Sequence, residues 1–225
     1  MTRWWHSAPA TRVRHSVALL TERRAVLLIS VDALFLFAGL MMGLMGGTGS
    51  AKDLYAPMFL MPALLIGVPI LADVVAVERR SGTLDLALTS PGARFYFERR
   101  IASIAVLMVI QGVVAMLFAF LALQRFPLPV AFLQIVIVSA FLGCVVLHWA
   151  VRLKSAGAVI FATYATALVF TPWLFSRPVY PYAPKPMDLP DVIDYCQQNL
   201  VLASAAAILY LYSLQRLSRP ESIIT

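Results

Sequence analysis

Asp32, Asp73, Gln111 and His148 are polar side chains inside apolar stretches long enough to cross a bilayer. A charge in that position costs about 2.5–3.5 kcal/mol even on lenient insertion scales, so each residue calls for a reason. Asp32 lies about 10 Å into its apolar run at ~1.5 Å per residue. Asp73 precedes Glu78 by little more than a helical turn. Carboxylates at such depths can line the inner mouth of a substrate path, exchange protons or pair with an arginine at the boundary. They can also snorkel to the headgroups with no further role. Gln111 can hydrogen-bond across helices. Asp32, Asp73 and Gln111 are therefore the candidate pathway residues. His148, beside Trp149 near the end of its run, fits an interfacial position better than a ligand.

No other chemistry is written in the chain. It has no G-x-x-x-x-G-K-[ST] phosphate loop and no H-E-x-x-H. His6, His15 and His148 lack metal-ligand spacing. Cys144 and Cys196 form no C-x-x-C pair. No serine and histidine make a nucleophile motif. The expectation is a non-enzyme with no catalytic residue, cofactor or metal of its own; any ATP it depends on would be hydrolysed by another polypeptide.

Composition sets the class. Of 225 residues, 61% are hydrophobic and 13% charged, the latter about half the usual ~25% of a soluble domain. The formal charge of +7 is spread between apolar runs rather than gathered in a patch, so nucleic acid is not an expected partner. The first long apolar run begins only at Ala25 and lacks a convincing cleavage site, so it reads as a retained span.

The fold expected is an all-α polytopic membrane protein. Six runs approach the ~20 apolar residues that a membrane helix needs. They are Ala25 to Gly46, Ala56 to Val77, Ile101 to Leu123, Pro129 to Val151, Ala156 to Phe175, and Leu200 to Leu217, the last being the shortest. Residues 1–24 precede this 25–217 domain. Their arginines, Trp4, Trp5 and the Val13, Val17, Leu20 spacing suit an amphipathic helix lying among lipid headgroups. Residues 218–225 form a tail.

Lysine and arginine in the connections orient the bundle. Residues 1–24, 78–100, 152–155 and the tail after Leu214 hold all but Lys52, Arg125, Arg177 and Lys185 of the chain's 18 Lys and Arg. Both termini and the 78–100 segment are therefore expected on the cytoplasmic side.

That segment, Glu78 to Arg100, is the longest polar interval between the apolar runs. Ser81 offers an N-cap hydroxyl and Asp85 falls in the first turn, where a helix dipole favours negative charge. Leu84, Ala87, Leu88 and Pro91 share one helical face. Pro91-Gly92 ends the pattern. The residues predict a short amphipathic helix on the cytoplasmic surface, presenting a face to a partner.

The order of residues here resembles the signature of ABC-2 type transporter permeases. An acidic and a basic residue, Glu78 and Arg79, precede Gly82-Thr83-Leu84. Asp85, the apolar Leu86 to Leu88, and Ser90-Pro91 follow; Arg94 and then Arg100 lead into the next span. Family members often carry lysine in the last position. The resemblance implies a half-transporter of the bacterial inner membrane. Its coupling helix, between spans 2 and 3, takes up motion from a separate ABC ATPase present in two copies, which binds the ATP and Mg. It further implies pairing of the permease as a homodimer or with a second permease, and export. The ATPase-coupling residues are then Glu78, Arg79, Gly82, Thr83, Leu84, Asp85, Leu88, Ser90 and Pro91. Spans with few polar groups suit lipid-like or amphiphilic cargo. Alternatives are a haem-export permease subunit of cytochrome maturation, an ion-coupled transporter using Asp32 and Asp73, and a membrane scaffold.

Between the fifth and sixth runs, residues 172–198 carry Pro172, Pro178, Pro181, Pro184, Pro186 and Pro190 among Trp173, Tyr180 and Tyr182. No continuous helix can pass through so many prolines. An outer loop is expected, with a short helix starting near Asp191 that either caps the pathway or lies on the surface.

Overall fold

A computed structural model describes residues 30, 33–38, 41, 59–73, 93–122, 127–175 and 189–217. Among them every regular element is a helix and there is no strand. Residues 33–38 are helical, and Leu36 packs on the core. Helix α1 covers residues 59–73 and contains a π-helical stretch, Ala63–Gly67. Helix α2 is Ala93–Ala122, α3 Leu128–Ala150, α4 Ala156–Val169, α5 Thr171–Phe175 and α6 Leu189–Leu217.

Local chemistry fixes the helix ends. Pro127 and Pro129 open α3, where a missing N–H costs nothing because first-turn donors have no partner anyway. Ser155 caps α4, its side chain accepting the Ala158 N–H at 3.1 Å.

The bundle is organised around α3, which packs against α2, α4 and α6. Ala131, Ile135, Val138, Phe141, Leu142, Val145 and Val146 are fully buried on it, as expected of a helix that is hydrophobic on all sides. Phe141 meets the Phe170 ring at 4.9 Å, and Trp149 Nε1 donates to Thr166 Oγ1 at 2.9 Å, so α3 and α4 are antiparallel. Tyr195 donates its hydroxyl to the Val130 carbonyl at 2.8 Å near one end of α6, and Tyr212 meets His148 near the other. Helices α3 and α6 therefore run in the same direction.

Two helices among the described residues are long and apolar enough to cross a membrane: Leu128–Ala150, and Val192–Arg216 within α6. The former is 61% buried and the latter 28%, which makes α3 the central one and α6 peripheral. On α2, Val106, Ile110, Val114, Leu117 and Leu121 form an exposed apolar stripe.

Several expectations need correction. The fifth run, 156–175, is not one helix. It stops at Phe170 (φ −88°, ψ 7°) and resumes as the short α5. Pro172 offers no N–H to the Leu168 carbonyl and its ring crowds that oxygen, while the residue before a proline is pushed from helical geometry. The sixth run, expected at 200–217, and the separate short helix expected near Asp191 are a single 29-residue helix. Pro190 fits its first turn, and no further proline or glycine interrupts the chain to Leu217. The expected outer loop, 172–198, thus gives up both its ends to α5 and α6. The helix that holds the third run begins earlier than 101: α2 starts at Ala93, so residues 93–100 of the 78–100 segment continue directly into it. Residues 1–24, 78–92 and 218–225 lie outside the described residues.

Candidate functional site

A local fault in α1 is the most unusual feature of the backbone. The sequence there is Pro62-Ala-Leu-Leu-Ile-Gly67-Val-Pro69. Proline has no main-chain N–H and breaks the regular hydrogen-bond ladder. The helix adapts by widening to a π turn, in which the Val68 N–H bonds five residues back to the Ala63 carbonyl. That choice strands the Leu64 carbonyl. Its α-helical donor, Val68, is already engaged, and its π-helical donor would be Pro69, which has none. A donor has to come from outside the helix. Tyr164 of α4 supplies it, placing its hydroxyl 3.0 Å from the Leu64 oxygen.

Close packing surrounds this fault. A Cβ on Gly67 would lie 2.9 Å from Met108 Cε, so glycine lets α1 and α2 approach there. A Cβ on Gly112 would lie 2.5 Å from Phe59 Cε2 and 2.7 Å from Ile135 Cγ2. Gly112 is therefore where α1, α2 and α3 converge. A helix segment weakened by proline, glycine and a π turn, held between rigid neighbours, has the features of a hinge.

Removing the Tyr164 hydroxyl tests the assignment. Tyr164→Phe keeps the ring but leaves the half-buried Leu64 carbonyl without its donor, so unfolding stability in detergent should fall by about 1–3 kcal/mol. Phe161 is 76% exposed on the same helix, and Phe161→Leu should leave the unfolding midpoint close to wild type. Equal stability of Tyr164→Phe and the wild-type chain would contradict the bond.

Asp73 sits half-buried at the end of the described part of α1. Gln111 is half-buried on α2 beside Gly112; both have partners in the fold. Asp32 lies outside the described residues. So do Glu78, Arg79, Gly82, Thr83, Leu84, Asp85, Leu88, Ser90 and Pro91. His148 lies near the C-terminal end of α3. It is 8% exposed, edge-on to Trp149 at 5.3 Å and to Tyr212 at 6.4 Å.

Sequence reasoning passed over Tyr164, Gly112 and a polar group at the start of α6. In that group Gln198 Nε2 donates to the Trp173 carbonyl at 2.6 Å and Asn199 Nδ2 to the Tyr195 carbonyl at 3.0 Å. The Gln198 bond ties α6 to α5 across the proline-rich interval, and the Asn199 bond lies within α6. Pro69, whose missing N–H leaves a carbonyl in need of an outside donor, signals that such a partner exists without identifying Tyr164.

Among the described residues no group of three or more His, Cys, Asp or Glu could hold a metal ion. Cys144 and Cys196 are free thiols. No protein-family model, curated protein or solved structure matches the chain.

Proposed function

We propose that the chain is the membrane-spanning permease subunit of an ATP-binding cassette transporter, of the ABC-2 type. Two copies, or this chain with a second permease, work with two copies of a separate ATPase that binds ATP and Mg. The cargo leaves the cytoplasm and is lipid-like or amphiphilic.

The observation that carries this reading is the residue order from Glu78 to Arg100, which resembles the family signature except for arginine in the last position, where members often carry lysine. The fold supplies a reason for it to matter. That segment joins α1, which contains the π-turn hinge, to α2, which starts at Ala93 immediately after Pro91-Gly92. Helix α2 is seated on the central α3. A force on residues 78–92 would therefore be resisted by α2 and yielded to by α1 at Ala63–Gly67. ATP closing the ATPase dimer would pull on the segment, bend α1 at the π turn and alter access along the bundle.

Membrane residence draws on the apolar helices and on the α2 stripe. Five large apolar side chains at helical spacing, each more than 40% exposed, suit hydrocarbon rather than water. The six-span topology with cytoplasmic termini draws on the apolar runs and the lysine and arginine bias.

The test is purification of the full chain in mild detergent with identification of every co-purifying polypeptide. An ATPase with a phosphate-binding loop is expected at one copy per permease chain. Recovery of the chain alone, with transport intact, would overturn the reading.

A further inference from the structure

We propose that the Tyr164 hydroxyl is a latch on α1: its bond to the Leu64 carbonyl holds the π turn, and its release lets α1 bend there while the rest of the bundle stays folded.

Pro69 leaves one carbonyl of α1 short of a donor whichever way the helix is wound. In a regular α-helix the fourth residue onward supplies the donor, so the carbonyl left short would be that of Leu65. Leu65 is 53% exposed, and hydrocarbon on that side offers no donor. The π turn commits the Val68 N–H to the Ala63 carbonyl and so moves the shortfall to Leu64. There the Tyr164 hydroxyl meets it at 3.0 Å. The choice of winding thus depends on a side chain from another helix.

That dependence hangs on one bond. The π segment packs on α2, whereas its contact with α4 is sparse. A neutral hydroxyl–carbonyl bond shifts an equilibrium by only about tenfold, so it can open without unfolding the bundle. Gly67, inside the same turn, brings no side chain to obstruct a bend. Once the latch is open, water admitted to the bundle can satisfy the Leu64 carbonyl. The part of α1 beyond the turn is then free to tilt against α2. The latch would control the bending of α1 in the transport cycle; for that role it rests on the permease reading, while its geometry does not.

Hydrogen–deuterium exchange of the full chain in mild detergent tests the latch without any ATPase, so its outcome is read apart from co-purification. In the wild-type chain the amides of residues 70–72 should exchange faster than those of Leu142 and Val145, which are fully buried on α3 and wait for global unfolding. Tyr164→Phe should speed residues 70–72 about tenfold and leave the amides around Leu211, on the peripheral α6, unchanged. Pro69→Ala restores an N–H to α1, so in that background Tyr164→Phe should have no effect on residues 70–72. Should Tyr164→Phe not fold, Pro69→Ala alone must still slow their exchange. Exchange of residues 70–72 no faster than that of Leu142 and Val145, no change in folded Tyr164→Phe, an equal speed-up in the Pro69→Ala background, or no slowing by Pro69→Ala would each overturn the latch.

Discussion

Gly112→Leu should yield no folded protein. Even one methyl at this position would lie 2.5 Å from the Phe59 ring and 2.7 Å from the Ile135 branch methyl. Neither neighbour can yield cheaply. Phe59 is 2% exposed and Ile135 fully buried, the ring is rigid and a β-branched side chain is restricted at χ1. Three helices meet here, so relief requires moving a backbone. Gly112→Ala should cost about 1–3 kcal/mol, the usual penalty of overpacking, and Gly112→Leu should exceed what a marginally stable fold can lose. Gly157→Ala is the control, because nothing lies within 4 Å of a Cβ at that exposed helical position. It should leave stability unchanged or raise it by up to about 1 kcal/mol. Size-exclusion profiles and thermal unfolding in detergent read all three. A monodisperse, normally stable Gly112→Leu protein would show that α1, α2 and α3 do not converge at this residue.

Leu84→Asp and Leu88→Asp should each abolish recovery of the ATPase with the permease while leaving the permease folded. On a helix these two leucines share one face with Ala87 and Pro91. If that face sits in a groove of the ATPase, a carboxylate there loses an apolar anchor and buries an unpaired charge. Central anchors of this kind are worth about 2–4 kcal/mol, or roughly 30- to 1000-fold in affinity. Co-purification and stimulated ATP hydrolysis measure the loss, and the unfolding midpoint of the variant checks its fold. Retention of the ATPase by both variants would remove the proposed contact.

What the sequence made legible depended on whether local chemistry decided the outcome. The fourth run, expected at 129–151, appears as Leu128–Ala150. Its prolines and its uniformly apolar content both mark a buried helix with defined ends. Pro172 was equally visible, but treating its run as one apolar block hid the break at Phe170. Hydropathy failed on α6 for a different reason. It reports where hydrocarbon can surround a chain, not where a helix forms. The stretch Asp191 to Asn199 is helical yet polar, because Gln198 and Asn199 find carbonyl partners within the bundle. The π turn in α1 was half legible. Pro62, Gly67 and Pro69 announce a disturbed helix, but the residue that repairs it lies 100 positions away, and no local pattern identifies Tyr164. The candidate coupling residues were read from their order alone.

Which side of the membrane holds the 78–92 segment decides the account most directly. In a background carrying Cys144→Ala and Cys196→Ser, Ser81→Cys and Ser90→Cys are exposed in intact cells to a membrane-impermeant maleimide, with Ser176→Cys as the outer reference. Ser176→Cys should label in intact cells, whereas Ser81→Cys and Ser90→Cys should label only after the cells are opened. Labelling of Ser81→Cys and Ser90→Cys in intact cells as readily as Ser176→Cys would put the segment beyond the reach of any cytoplasmic ATPase and contradict the account.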